Sequence, residues 1–201
     1  MRALSLETRR LVLREFEDAD HVACHVYESD PVAVRYQSYD VLTLQESLAN
    51  IRKVRAETQA SDPRTLFELA VVTREDGMVI GKCGLSLRRP AHREGELWYA
   101  IRRDRWGHGY AVEAATALTD YGFRELGLHR ISADTDPRNT ASHRVVEKLG
   151  MQREGILREN WFLKGEWCDT LLFAILDRDW IRAASPSGGR IESDQGDTLT
   201  S

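Results

Sequence analysis

The chain has little of what marks several large protein classes. Its three cysteines, Cys24, Cys83 and Cys168, are odd in number and far apart, with no C-x-x-C. They read as reduced thiols, neither a disulfide frame nor a zinc site. His108, His129 and His143 are scattered without metal-ligand spacing, so no metal is expected. No apolar run approaches the ~20 residues of a membrane span, and the first residues carry no apolar signal segment. A cytoplasmic protein with no membrane partner is therefore expected. Positive charge is not in excess, since the formal net charge is −4, which argues against a broad nucleic-acid-binding surface. No Gly-Lys pair precedes Ser or Thr, so a P-loop is excluded.

What is present suits one domain with a sizeable core. Of 201 residues, 42% are hydrophobic and 30% charged, ordinary values for a globular chain. The domain is expected over residues 1–182. The stretch from 183 to 201, rich in Ser, Gly, Asp and Thr, reads as a disordered tail.

The most informative stretch is Arg105-Trp106-Gly107-His108-Gly109-Tyr110-Ala111. Before it, Glu96–Ile101 reads as a buried strand. After it, Glu113, Thr116, Asp120 and Arg124 mark the polar face of a helix, and Ala111, Ala115, Leu118 and Gly122 a small apolar face. Glycines ahead of a helix leave backbone N–H groups bare at the positive end of its dipole, a ready pyrophosphate site. The bland alternative is a tight turn that needs positive φ. A dinucleotide fingerprint is excluded because Val112 stands where the third glycine belongs.

Taken in order, residues 9–16 read as a first strand with Leu11 and Leu13 on one face. Asp18 opens a helix to about Glu28 whose buried side includes Val22 and Val26. Residues 29–40 form a loop, and the capping box Thr43-Leu44-Gln45-Glu46 starts a helix with a Leu44, Leu48, Ile51 stripe. Leu66–Thr73 and Met78–Leu87 make a hairpin through Asp76-Gly77, and Glu94–Ile101 is a fourth strand. The glycine-loop helix ends near Gly127. His129–Thr135 follows as a fifth strand, parallel to the fourth through the helical crossover. Asn139 caps a helix stopped by Gly150. Two last strands, Ile156–Leu163 and Trp167–Leu176, pair across Lys164-Gly165.

This order is that of an α/β layered domain. The loop, together with Asn139-Thr140-Ala141-Ser142 and Val145-Val146-Glu147-Lys148-Leu149-Gly150, resembles the GNAT acyltransferases. It is most similar to the branch that acetylates N-termini of ribosomal proteins (RimJ/RimL type), as is the opening Thr8–Arg14; the likeness runs from about residue 6 to Trp180. The resemblance implies a mixed, mostly antiparallel sheet of six to seven strands flanked by about four helices, the parallel fourth and fifth strands splaying apart. It implies acetyl-CoA as co-substrate, a ternary complex and a primary amine acceptor, either a protein N-terminus or a small molecule. It leaves monomer and homodimer open, and a non-catalytic acyl-CoA-binding module remains the third reading.

Carried onto this chain, the resemblance puts the pantetheine arm against backbone groups of Tyr99, Ala100 and Ile101. It puts the pyrophosphate on N–H groups of Gly107, His108, Gly109, Tyr110, Ala111 and Val112. Trp106 stands where relatives usually carry Gln or Arg. Asn139 would contact the cofactor and Ser142 would protonate the departing thiolate. Independently of that, Ser142 shares a helix face with Val145, Val146 and Leu149, and a hydroxyl there must find a partner; a cap or a bond to a nearby carbonyl would also explain both residues. Glu96 is a candidate base acting through water, or a strand residue paired with an Arg. The branch can carry a glutamate base where this chain has Trp161. Trp98, Trp161 and Trp167 read as core or as walls of an acceptor pocket, and Arg102–Arg105 as a solvated turn or a contact for the 3′-phosphate of coenzyme A.

Overall fold

Alternation along the strands decides which layer each side chain enters. In the computed structural model, which describes residues 3–60 and 62–184, thirteen principal elements follow in order: β1 (Ser5–Glu7), β2 (Leu11–Arg14), α1 (His21–Glu28), α2 (Leu44–Ala60), β3 (Leu66–Thr73), β4 (Val79–Arg89), β5 (Glu94–Ile101), α3 (Tyr110–Arg124), β6 (Arg130–Thr135), α4 (Thr140–Lys148), β7 (Gln152–Leu163), β8 (Glu166–Leu176) and α5 (Asp177–Ala184). They build one mixed sheet in the order β1-β2-β3-β4-β5-β6-β8-β7. Every pairing is antiparallel except β5 with β6. That parallel pair needs a crossover, which α3 supplies.

Strand β3 is buried on both faces because helices cover both. Its Phe67, Leu69 and Val71 join Leu85, Leu97, Leu118 and Ile131 in a core under α3 and α4. Its Ala70 and Val72 join Phe16, Cys24, Tyr27, Ile51 and Val54 in a second core under α1 and α2. Helix α3 lies close to the sheet at Gly122, where an added Cβ would come within 2.9 Å of Ile131 Cδ1 and 3.0 Å of Leu85 Cδ2.

Several expectations need correction. The sheet has eight strands, because Ser5–Glu7 folds back on Leu11–Arg14 as a separate edge strand; three residues with two exposed show no readable alternation. Helix α5 adds a fifth helix to the four expected. Its Trp180 Nε1 donates to Asp120 Oδ1 on α3 at 3.0 Å, which docks α5 on that helix. Val22 and Val26 are exposed on α1, while Cys24, Tyr27 and Glu28 are buried. In α2 the inward face is Ser47, Ile51, Val54 and Thr58, with Leu44 outside. Both helices are turned by packing against the sheet and each other, a decision that apolar spacing alone does not make. The residues after 184, where the tail is expected, lie outside those described.

Candidate functional site

Strands β5 and β6 pair only at Glu94↔Arg130, Gly95↔Ile131 and Glu96↔Ser132. Beyond that point they part, so among the described residues Leu97 to Ile101 have no strand on the β6 side. A cavity of about 510 Å³ fills the fork. It is lined from the α3/α4 face by Tyr99, Tyr110, Asn139, Ser142 and Val145, and from the α1/α2 face by Tyr27, Tyr36, Tyr39, Trp98 and Asp134. The cavity therefore passes through the sheet, and two reactants can enter it from opposite sides.

On the α3/α4 face the wall is mostly backbone. Gly107 (φ 78°) and Gly109 (φ 77°) take left-handed conformations, which glycine adopts without Cβ strain. Gly109 is the N-cap of α3 and brings no capping side chain. The first intrahelical bond runs from Glu113 N to Gly109 O, so the N–H groups of Tyr110, Ala111 and Val112 have no helical acceptor. Gly107, Gly109, Tyr110, Ala111 and Val112 line the cavity; His108 does not. Its carbonyl instead accepts from Arg10 Nη1 at 2.9 Å. Arg10 also ion-pairs Glu113 at 2.6 Å and lies over the Tyr110 ring. Burial opposes the Glu113 charge, but donors from Thr8 and Arg10 outweigh it and hold this carboxyl below its ordinary range. Charge in the first turn of α3 is thereby neutralised, which leaves the dipole free for another anion.

Trp106 lines the same end. Its indole donates to the carbonyl of Ile101 at 2.5 Å, bracing the loop against the end of β5. That carbonyl is thus occupied, while Tyr99, Ala100 and Ile101 all face the cavity. The basic run is largely neutralised: Arg102 pairs Asp104, Arg103 pairs Asp30 and Arg105 pairs Asp76. Only Arg105 of the run lines the cavity. Arg144 and Lys148, one turn apart on α4, also line it, and among the described residues neither has an acidic partner within ion-pair distance.

Asn139 and Ser142 come together as spacing required. Asn139 Oδ1 accepts from Ser142 N at 3.1 Å, capping α4. The Ser142 hydroxyl lies 2.9 Å from Tyr99 Oη, which also donates to Ser142 O at 3.1 Å. Burial pushes the Tyr99 phenol up to about 12, with the Ser142 contact partly offsetting, so it is a neutral donor at physiological pH. The sequence pattern points only to its backbone, because the side chain's partner lies 43 residues away. Glu96 ion-pairs Arg88 across to β4 and is outside the cavity lining.

On the α1/α2 face the wall is side chains. Trp98 lies over Gly84, where an added Cβ would collide with the indole, and its Nε1 donates to Glu68 at 3.1 Å. Glu68 is in turn paired with the buried Lys82 at 3.0 Å. The hydroxyls of Tyr27 and Tyr39 are buried without a partner among the described residues. Trp161 and Trp167 belong to neither core nor cavity; with Phe162 they stand exposed on the β7–β8 hairpin. A register shift between Leu157 and Trp161, with Glu159 at φ 46°, sets that stretch apart from the ladder. The hairpin is tied to the α1–α2 connection by Lys164 Nζ, which donates to Val34 O at 2.6 Å.

All three cysteines are free and buried, and burial pushes the Cys24 thiol up to about 12. Neither the thiols nor the site suggests a covalent acyl-enzyme. Among the described residues no group of three or more His, Cys, Asp or Glu is placed to hold a metal ion, and no helix is long and apolar enough to cross a membrane.

Comparison with known proteins agrees with this geometry. The family model described as the acetyltransferase (GNAT) domain matches residues 10–152. The N-acetyltransferase p20 of Bacillus licheniformis is 36% identical over 88% of this chain and 98% of its own. The ribosomal protein uS5-alanine N-acetyltransferase of Escherichia coli is 34% identical over 42% of this chain and 43% of its own. Among solved structures, a GNAT-family acetyltransferase from Bacillus anthracis superposes with a TM-score of 0.77 at 31% identity, covering 87% of this chain and 99% of that one. With a cavity through the fork of its parallel strands and a matching family domain over most of its length, this chain belongs to the GNAT acetyltransferases and is an acyltransferase enzyme.

Proposed function

We propose that the enzyme moves an acetyl group from acetyl-CoA to the N-terminal α-amine of a polypeptide. The observation that carries this reading is the two-sided cavity. One side offers bare N–H groups at the α3 N-terminus and an unpaired β5 edge, which fit a pyrophosphate and an extended pantetheine arm. On the other side, Lys164 ties to the α1–α2 connection a hairpin that carries the exposed aromatics Trp161, Phe162 and Trp167. A polypeptide can lie against such a hairpin, whereas a small amine has no use for it. The relative named for uS5-alanine acetylation supports the same class of acceptor.

Bound acetyl-CoA would supply the thioester. Gly107, Gly109 and the first turn of α3 would hold its pyrophosphate, with Arg144 and Lys148 as cations for its phosphates. Ser142 would give its proton to the departing sulfur and be reprotonated from Tyr99 Oη, 2.9 Å away. An α-amine with pKa of about 8 is about one-tenth neutral at pH 7, whereas lysine at about 10.4 is neutral in roughly one molecule in 2,500. The larger neutral fraction by itself favours N-termini over lysine side chains.

The test is thiol release with acetyl-CoA and three sets of acceptors: peptides with a free N-terminal alanine, the same peptides N-blocked but carrying lysine, and small amines such as polyamines and aminoglycosides. Turnover confined to free-N-terminus peptides is expected. Faster turnover of a small amine would overturn the acceptor, and turnover of none would overturn the catalytic reading.

A further inference from the structure

Residues opposite one another in paired strands face the same way, so Glu96, Ser132 and Asp134 share the α1/α2 face of the sheet. Glu96 is the last β5 residue before the fork. Asp134 is the first charged residue beyond it on β6, and it lines the cavity. The other carboxylate in the lining, Asp136, is satisfied by Arg138, which donates from its backbone N–H at 2.8 Å and from its guanidinium at 2.9 and 2.7 Å. The Asp134 carboxylate has no hydrogen bond or ion pair among the described residues. Tyr27, Tyr36, Tyr39 and Trp98 complete the walls of that side.

The charges facing Asp134 are few. Glu96 reaches it from β5, and Arg88 from β4, where it is already tied to Glu96. The paired position on β8 is the neutral Leu172, and the α1–α2 connection contributes phenols together with Arg35, which lies over the Tyr36 ring and acts on Asp136. Asp134 is an exposed residue, yet partial desolvation and then the Glu96 charge hold its carboxyl above its ordinary range, with Arg88 opposing. A carboxylate with no ion pair among the described residues, in a cavity wall shared with aromatic side chains, is complementary to an ammonium group.

We propose that Asp134 is the acceptor-side counter-ion and proton acceptor: it holds the protonated primary amine at the fork and takes its proton before the amine attacks. The inference rests on the acetyl-transfer reading above and adds the residue that receives the acceptor. One proton of the ammonium passes to the Asp134 carboxylate. The freed nitrogen lone pair forms the C–N bond to the acetyl carbon and the C–S bond breaks. A second nitrogen proton balances the one Ser142 gives to sulfur, and Asp134 returns its proton to solvent, which reaches it. Glu96 acts through Asp134, since its charge raises the proton affinity of the neighbouring carboxyl.

The experiment compares wild type, Asp134→Asn and Asp134→Glu with acetyl-CoA and a free-N-terminal alanine peptide across pH. At about pH 7, Asp134→Asn should lower kcat/KM for the peptide about a hundredfold, the lower end for a positioned base. The deficit should shrink as pH passes the amine pKa of about 8 and the free amine becomes abundant. Asp134→Glu should recover part of the activity, and the rise in Tm with acetyl-CoA should be the same in all three. A variant within twofold of wild type throughout, or a deficit equal at every pH, would overturn the inference. A wild type that shifts with acetyl-CoA but acetylates no amine would overturn the acetyl-transfer reading instead, and this inference with it.

Discussion

The two faces of the fork are built from different materials. On the α3/α4 side the cavity wall is chiefly peptide backbone: two left-handed glycines, three helix N–H groups and the free edge of β5. On the α1/α2 side it is Tyr27, Tyr36, Tyr39, Trp98 and Asp134, drawn from four separate segments. Backbone recognition imposes a local pattern, because N–H groups converge only if glycine permits the turn and a helix follows at once. Side-chain recognition imposes none, because any element that reaches the cavity can contribute a residue. The first wall suits a reactant common to a whole family, the second one that varies among its members.

The comparison breaks most severely at Gly109. Gly109→Asp places a Cβ at φ 77° and a negative charge at the positive end of α3. At a ligand concentration that stabilises wild type by about 2.7 kcal/mol, a hundredfold above Kd, the variant should show no rise in Tm with acetyl-CoA. No rise in the wild type either would remove the cofactor assignment. At the chemical centre, Ser142→Ala should lower kcat about a hundredfold with KM for acetyl-CoA unchanged. Tyr99→Phe, which keeps the ring and loses the hydroxyl 2.9 Å from Ser142, should cost about tenfold. Wild-type turnover in Ser142→Ala would exclude it from the mechanism.

Gly84→Ala tests whether the faces are separable. The new Cβ would collide with the Trp98 indole, so KM for the amine should rise about tenfold while the acetyl-CoA shift in Tm persists; loss of both would show that the faces are coupled. Asn139→Ala should cost about 1 kcal/mol of stability, because it removes the cap on α4, and should raise KM for acetyl-CoA. Denaturant unfolding and kinetics report the two effects separately. The smallest effect concerns charge: Arg144→Glu or Lys148→Glu should weaken acetyl-CoA binding several-fold, more at low salt. Arg102→Glu, in a turn where Asp104 already neutralises the cation, should change it little. The reverse ranking would return the phosphate contact to the basic run.

The sequence by itself determined the parts whose physics is local. Strand β5 runs from Glu94 to Ile101 as its aromatic and aliphatic run implied, Asn139 caps α4, and the glycine loop enters α3 with both glycines at positive φ. Each depends on residues within a turn or two of one another. Tertiary structure alone decided the rest. It turned α1 so that Val22 faces solvent and Tyr27 the core, and brought Arg10 from the first hairpin to neutralise Glu113 on α3. It exposed the aromatic hairpin of β7 and β8, and set Tyr99 against Ser142 across 43 residues of chain. It also left Asp134 without an ion pair among the described residues while pairing Glu96 with Arg88. These are meetings between distant segments, and local spacing carries no record of them; they arise only when burial of both sheet faces forces each side chain to a definite neighbour.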